Sequence, residues 1–355
     1  MKHSNLFFTL PLLVLLCSCA PRIFLEKSSF DQLHGWNGNQ KSALAAFNRS
    51  CEKLGKLPDN RDLGVAGKAA DWRTVCEEAK KSKHRAKEFF ETNFVPFKAK
   101  NYFKSEGLFT GYYEPVLRGS LRRDSKYKYA VYQKPKDLVD GQPYLGRRRI
   151  IDGELSRKGL AIAFVDDPVD LFFLQIQGSG RIILEDGRII RVGYDAKNGC
   201  PYRALGKYMI DNGIMKKGEI TADKIKDWLR ANPDKANDVM NYNPSYVFFR
   251  VLKTDPIGAQ GVPLIPEASL AVDKKFVPYG TPIWLETTLP DTGKGEKEYN
   301  KLLIAQDTGG AIKGPVRGDV FFGRGNRAAK LASFMKQKGE YYLLLPKKVA
   351  QSPKN

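Results

Sequence analysis

The feature that most constrains this chain is how its apolar runs are cut over residues 253–348. Residues 269–273, 282–285, 301–306, 319–322 and 340–346 are short runs of Ile, Leu, Val, Phe, Ala and Trp, separated by Gly- and Pro-containing turns. Short apolar runs bounded by turn formers read as strands. Only residues 326–337 have helical spacing there, with Ala328, Leu331 and Phe334 along one side. Strands with so few helices between them cannot make the crossovers of a parallel α/β sheet. The segment therefore points to a compact barrel. Residues 287–300, rich in Gly, Thr, Lys and Asp, read as a polar loop within it.

The preceding stretch, 116–252, has a different texture. Tyr127, Tyr129 and Val131 alternate with Lys128 and Ala130, a strand pattern. Residues 171–177 read as another strand, ending at Gly178-Ser179-Gly180. Residues 181–184 and 188–191 flank the turn Glu185-Asp186-Gly187 and read as a hairpin. Residues 202–213 and 221–240 read as helices, and 245–250 as a strand. Earlier still, 40–55 and 71–92 carry helical spacing, and 108–115 returns to period two. Residues 20–40 read as a polar tether.

The N-terminus reads as an address. After Lys2, residues 6–16 are a nearly continuous apolar run, too short to span a bilayer as a helix and suited to the core of a secretory signal. It closes with Leu16-Cys17-Ser18-Cys19, which resembles the bacterial lipobox. Cys19, preceded by small Ser18, is the candidate for lipidation, and 1–18 the signal that is removed. Ala20 follows, with no Asp to retain the chain at the inner membrane, so the expected location is the outer membrane, facing the periplasm. Of 5 Cys, this leaves Cys51, Cys76 and Cys200 in an oxidising compartment. Cys51 and Cys76 both sit in helical spacing. A disulfide between two packed helices is expected, with two separately buried thiols as the alternative.

Charge narrows the partners. The chain has 59 Lys+Arg against 39 Asp+Glu, a formal +20. Such a balance favours an anionic partner. Export argues against nucleic acid, and losing Lys2 with the signal still leaves +19. The cell wall and lipid head groups remain, as does a basic surface with no partner.

The residues available for chemistry are few. Past the signal only His34 and His84 remain, and neither has metal-ligand spacing to Cys or acidic residues. No metal and no cofactor is implied. Gly178-Ser179-Gly180 is not a nucleophile elbow, since Gln177 stands where Gly-x-Ser-x-Gly needs glycine; it reads as a turn beside a groove. Carboxylates are left. Asp273, Asp307 and Asp319 each stand at the edge of an apolar strand. Apolar surroundings disfavour the charged carboxylate and raise its pKa, as a general acid at neutral pH requires. Asp at strand ends also serves simply as a turn former.

Several longer strings carry a resemblance. Phe109-Thr-Gly-Tyr-Tyr-Glu-Pro115, Phe173-Leu-Gln-Ile-Gln-Gly-Ser-Gly-Arg181, Pro244-Ser-Tyr-Val-Phe-Phe249, Pro263-Leu-Ile-Pro-Glu-Ala-Ser-Leu-Ala-Val-Asp273 and Gln306-Asp-Thr-Gly-Gly-Ala-Ile-Lys-Gly314 with Gly318-Asp319 resemble the signature blocks of the membrane-bound lytic murein transglycosylase A family. The last block also resembles its three-aspartate domain.

The resemblance implies a mainly β fold with an α-helical N-terminal segment. A discontinuous double-psi β-barrel would be built from 40–114 plus 253–348, with a β-rich domain, 115–252, inserted in it and a glycan groove between. Residues 19–39 would be the tether and 349–355 a tail. The implied reaction cleaves the β-1,4 bond between N-acetylmuramic acid and N-acetylglucosamine of peptidoglycan without water, leaving a 1,6-anhydromuramic end.

Asp319 matches the family's catalytic acid/base and Asp307 its supporting aspartate. Asp273 matches the third aspartate, of more structural character. Thr110, Gly111 and Tyr112 match one side of the substrate groove, and Gln175, Gln177 and Ser179 the other. The run Gly323-Arg-Gly-Asn-Arg-Ala-Ala329 departs from the family pattern by losing an acidic residue. The implied partners are glycan strands and, through Cys19, the outer membrane; murein synthases and scaffold proteins are left open. Two other readings stand beside this one: a peptidoglycan hydrolase using an Asp307/Asp319 pair, and a non-catalytic wall-binding lipoprotein.

Overall fold

The computed structural model describes residues 22–351 except 83 and 292–294. The expected signal and Cys19 lie outside the described residues. Fourteen strands are present among these residues: β1 (Ile23–Lys27), β2 (Phe94–Asn101), β3 (Gly107–Glu114), β4 (Val116–Ser120), β5 (Tyr129–Tyr132), β6 (Ala161–Val165), β7 (Ser179–Leu184), β8 (Ile189–Lys197), β9 (Val247–Leu252), β10 (Ser269–Val272), β11 (Pro282–Leu289), β12 (Lys297–Asp307), β13 (Arg317–Arg324) and β14 (Lys336–Pro346).

Six of them close into a barrel in the order β3-β14-β11-β12-β10-β13, with β13 returning to β3. Long β14 pairs with β11 on one edge and with two strands in turn on the other: residues 336–339 with β3, and 342–346 with β2. The second sheet, also of six strands, is separate and runs β5-β6-β4-β7-β8-β9.

Burial on both faces explains the unbroken apolar runs of the barrel strands. Leu302, Leu303, Ile304 and Ala305 are all buried in β12. Outside, helix Lys41–Leu54 covers β12. Phe47, Trp72, Phe89, Phe90 and Phe94 pack there, with ring centroids 5.0–6.1 Å apart. A Cys51–Cys76 disulfide joins this helix to Arg73–Lys81. Cys200 is a free thiol.

The elements differ from the sequence reading in places, for identifiable reasons. Residues 171–177 are not a strand but most of helix Pro168–Gln177. Asp167 caps it, accepting from the N–H groups of Val169 and Asp170, Pro168 opens it and Gly178, at φ 78°, ends it. Its apolar run shows no period because both sides are covered. Leu171 and Leu174 face the sheet core, while Val169, Phe172 and Phe173 face a cluster of helices. Gly178-Ser179-Gly180 is accordingly a helix cap leading into β7, not a hairpin turn. Residues 221–240 break at Asn232-Pro233 into Ala222–Ala231 and Pro233–Asn241, since proline cannot continue a helix from the preceding turn. Residues 71–92 contain two helices, Arg73–Lys81 and Ala86–Asn93. Helix 326–337 stops at Phe334, and β14 begins at Lys336.

The loop expected at 287–300 is largely strand. Thr287 pairs with Tyr299, both buried, in a hairpin arm whose other residues are mostly polar. Most consequentially, the tether read at residues 19–39 contains β1, an edge strand on β2 whose Ile23 and Leu25 pack against the barrel core.

Candidate active site

Strand register assembles the site. Thr110 of β3 lies opposite Asp319 of β13, Asp319 opposite Ala271 of β10, and Ala271 opposite Asp307 of β12. Four adjacent strands thus present one row, with the two aspartates two strand spacings apart, roughly 9–10 Å between backbones. The residue between them is a small alanine. Tyr112 and Phe321, each two positions along its strand, share the face and pack with tilted rings, centroids 5.2 Å apart. With Leu264, Ala271 and Ile312 they form an apolar cluster of their own beneath the carboxylates.

The two carboxylates differ in what holds them. Asp307 accepts from the Tyr112 hydroxyl (2.8 Å) and the N–H groups of Ala259 (2.9 Å) and Thr308 (2.9 Å). Burial raises its pKa, and these three bonds oppose the rise. Asp319 has a single hydroxyl donor, Thr110 Oγ1, at 2.6 Å. Burial pushes its carboxyl up to about 6; the Thr110 bond and the Arg317 charge pull the other way, and Asp307 adds to the rise. Both remain partly open to solvent. Arg317 is tied behind the row, donating to Leu108 O (3.1 Å), to Gly318 O and to Thr110 Oγ1 (2.9 Å).

Supports behind the row keep it in place. Gln306, fully buried, donates to Ala46 O (2.8 Å) and Ser50 Oγ (2.9 Å) and accepts from Ser269 Oγ (2.6 Å). It locks the end of β12 to helix Lys41–Leu54. The loop carrying Ala259 comes close because residue 258 is glycine: a Cβ there would stand 2.5 Å from Gln306 O. Asp273 is turned to the loop after β12, accepting from Gly314 N–H (2.9 Å) and Lys275 N–H (3.2 Å).

The second sheet joins the barrel beside this row. Gln177 Oε1 accepts from Tyr113 N–H at 3.0 Å, and Arg181 N–H donates to Pro115 O at 2.9 Å. The Arg181 side chain is buried against Glu114 (2.8 Å) and reaches Asp255 (3.3 Å). One guanidinium therefore bridges both chain crossings between the sheets. Ser333 donates to Asp223 at 3.0 Å across the same join.

The residues named from sequence are thus placed unequally. Asp319, Asp307, Thr110 and Tyr112 share one face of the barrel, joined by hydrogen bonds in two pairs, and Gln177 sits at the join. Ser179 is buried at the start of β7, and Gln175 is buried beside Tyr246 inside the second sheet's domain. Gly111 admits the Asn326–Phe334 helix: a Cβ there would stand 2.3 Å from the Phe322 ring and 3.2 Å from Ala332 Cα. Among the described residues no group of three or more His, Cys, Asp or Glu could hold a metal.

Residues 108–250 match the family model of the MltA-specific insert domain, and 268–345 that of the 3D domain. A crystal structure of membrane-bound lytic murein transglycosylase from Agrobacterium tumefaciens aligns with a TM-score of 0.84 at 33% identity, covering 93% of this chain and 99% of that one. This chain belongs to the membrane-bound lytic murein transglycosylase A family. The family member of Vibrio cholerae serotype O1 is 35% identical over 243 residues, 67% of this chain; the match spans 65% of that relative's own length. The Escherichia coli member, crystallised with bound chitohexaose, aligns with a TM-score of 0.72 at 27% identity, covering 86% of this chain and 90% of that one.

For this family member, sequence reasoning missed two contributors. Arg317 could have been found, because two positions before Asp319 on a strand is the same face. Ala259 could not, since it contributes only a backbone N–H.

Proposed function

We propose that this chain is a lytic transglycosylase of peptidoglycan, held at the outer membrane by lipid on Cys19 and facing the periplasm. In this reading 40–114 plus 253–348 form a double-psi barrel, 115–252 the inserted domain, and glycan strands lie between them. The observation that carries the reading is the inequality of the paired carboxylates. Asp319, pushed to about 6, holds a proton over part of the neutral range, whereas Asp307 is fixed by three donors.

The reaction needs few parts. Asp319 donates its proton to the glycosidic oxygen as the bond from C1 of N-acetylmuramic acid breaks, and N-acetylglucosamine leaves with a 4-hydroxyl. Positive charge develops on the muramic ring, near the Asp307 carboxylate. Ionised Asp319 then takes the proton of the ring's own C6 hydroxyl as its oxygen bonds to C1. Asp319 ends protonated, and no water is consumed. The nucleophile is intramolecular, which gives it a high effective concentration. A hydrolase would need a second carboxylate free to activate water or to attack. Asp307 is less suited, because both its oxygens already accept hydrogen bonds that hold it in place and weaken it as a base or nucleophile.

The test is Asp319→Asn on purified sacculi. General acid–base transfer is worth roughly a hundred- to ten-thousand-fold, and the variant should lose turnover by that order while still binding glycan. Undiminished release of soluble muropeptides would end the assignment. A parent protein that binds sacculi and releases none would instead favour the wall-binding reading.

A further inference from the structure

The turn between β2 and β3 is Tyr102-Phe103. Asn101 and Lys104 exchange both backbone bonds across it, at 2.8 and 3.1 Å. Two-residue hairpin turns of this kind favour Gly, Asn or Asp at the positions of positive φ. Here Tyr102 occupies φ 55°, a conformation uncommon for bulky side chains. Phe103 follows, 97% exposed. A phenylalanine left in water forgoes the burial that ordinarily stabilises a side chain of its size. The Tyr102 ring packs at a tilt against Phe24 of β1, centroids 5.6 Å apart, and Phe24 is itself 37% exposed. Three aromatic rings therefore share one end of the β1–β2 edge.

The position of that end says what it meets. β1 pairs with β2 so that Ile23 lies opposite Asn101. Cys19 precedes Ile23 by four residues, a reach of at most about 14 Å. A lipid on Cys19 and the aromatic turn are therefore neighbours by chain length alone. Exposed Arg22 and Lys104 flank the turn. The carboxylates around the turn are ion-paired: Glu26 with Lys100, Glu106 with Lys338, and Glu340, which accepts from Ser105, with Lys98. Aromatic rings with basic residues at their rim suit an anionic lipid–water interface.

We propose that the Tyr102-Phe103 turn docks into the headgroup layer beside the anchor and fixes the height of the groove above the membrane. The inference rests on the reading of Cys19 as lipidated. Phe103 and Thr110 are seven residues apart, at most about 24 Å along the chain. A docked turn would hold Asp319, bonded to Thr110, within about that distance of the lipid surface.

The test uses the full lipid-bearing chain on vesicles of phosphatidylethanolamine and phosphatidylglycerol. Phe103→Trp supplies a reporter, and Leu121→Trp, at a 51% exposed position beyond β4, supplies a control. Of the four native tryptophans, Trp36, Trp72 and Trp284 are buried and contribute little to quenching from the lipid phase, and half-buried Trp228 adds the same background to both variants. Brominated lipid is expected to quench the Phe103→Trp signal at least about twofold more than the control. Chain that sediments with vesicles but shows equal quenching at both positions overturns this proposal and leaves the anchor standing. Shielding of position 103 from aqueous iodide without quenching by lipid overturns it too, since the turn would then face a protein or glycan. Chain that does not sediment overturns the anchor, and the proposal with it.

Discussion

The barrel and the second sheet each hold an ionisable group that burial has perturbed, and they use it in opposite ways. Asp319 sits on a barrel strand, held to the protein mainly by Thr110, with solvent on its open side. Arg147 sits in the second sheet's domain, 3% exposed, and burial pulls its pKa down to about 10. It has no carboxylate bridging it among the described residues. Instead it donates to Asn243 O (2.9 Å) and Ser245 O (2.6 Å) and lies between the rings of Phe172 (4.5 Å) and Tyr246 (5.3 Å). Its charge is used entirely inside the fold. A displaced pKa thus marks chemistry only where the group also keeps an open side and an unsaturated set of partners.

Three substitutions bear on that contrast. The largest effect on stability is expected where the two regions join. Arg181→Met strands Glu114, 3% exposed, as an unpaired buried charge, and breaking such a pair costs about 3–5 kcal/mol. Chemical denaturation would report it; a loss below about 1 kcal/mol, the scale of an exposed pair, would mean the clamp is weak. Arg147→Met should cost less. It leaves two carbonyls without a donor, at about 1–3 kcal/mol each, but it also removes a buried guanidinium that no carboxylate balances, which offsets much of that cost. Turnover per folded molecule should not change, and a specific loss of turnover would place Arg147 in the chemistry after all.

The smallest effect is expected at Thr110→Val. The hydroxyl bond favours ionised Asp319, so its loss should raise the pKa above about 6. The proton must be present for catalysis, so the alkaline limb of the pH–rate profile should move upward. A hydrogen bond is worth about 1 kcal/mol and a pH unit about 1.4 kcal/mol, so the shift should be under about one unit. A downward shift would show that Arg317 had taken over the bond to Asp319.

The site is more legible in the sequence than the architecture around it. Asp273, Asp307 and Asp319 all stand at the edges of apolar runs, where an aspartate also serves as a turn former; the resemblance of the surrounding strings is what singles out Asp307 and Asp319. Their shared row is not readable, because register across β13, β10 and β12 is set by loops whose lengths say nothing of pairing. Helical spacing around Cys51 and Cys76 leaves a disulfide and two buried thiols both open, and the packing of their two helices decides for the disulfide. Helix Pro168–Gln177 is hidden, since a helix covered on both sides has no polar face to reveal its period. Strand β1 is hidden because an edge strand of five residues, with three exposed, resembles a tether until its partner is known.

The central claim is that one protonated aspartate cleaves the glycan and the substrate supplies its own nucleophile. Mass spectrometry of muropeptides released from sacculi tests it most directly. The account predicts products one water lighter than reducing-end muropeptides, with no incorporation of oxygen from isotopically labelled water. Reducing ends carrying the labelled oxygen would contradict it and would make Asp307 and Asp319 a hydrolytic pair.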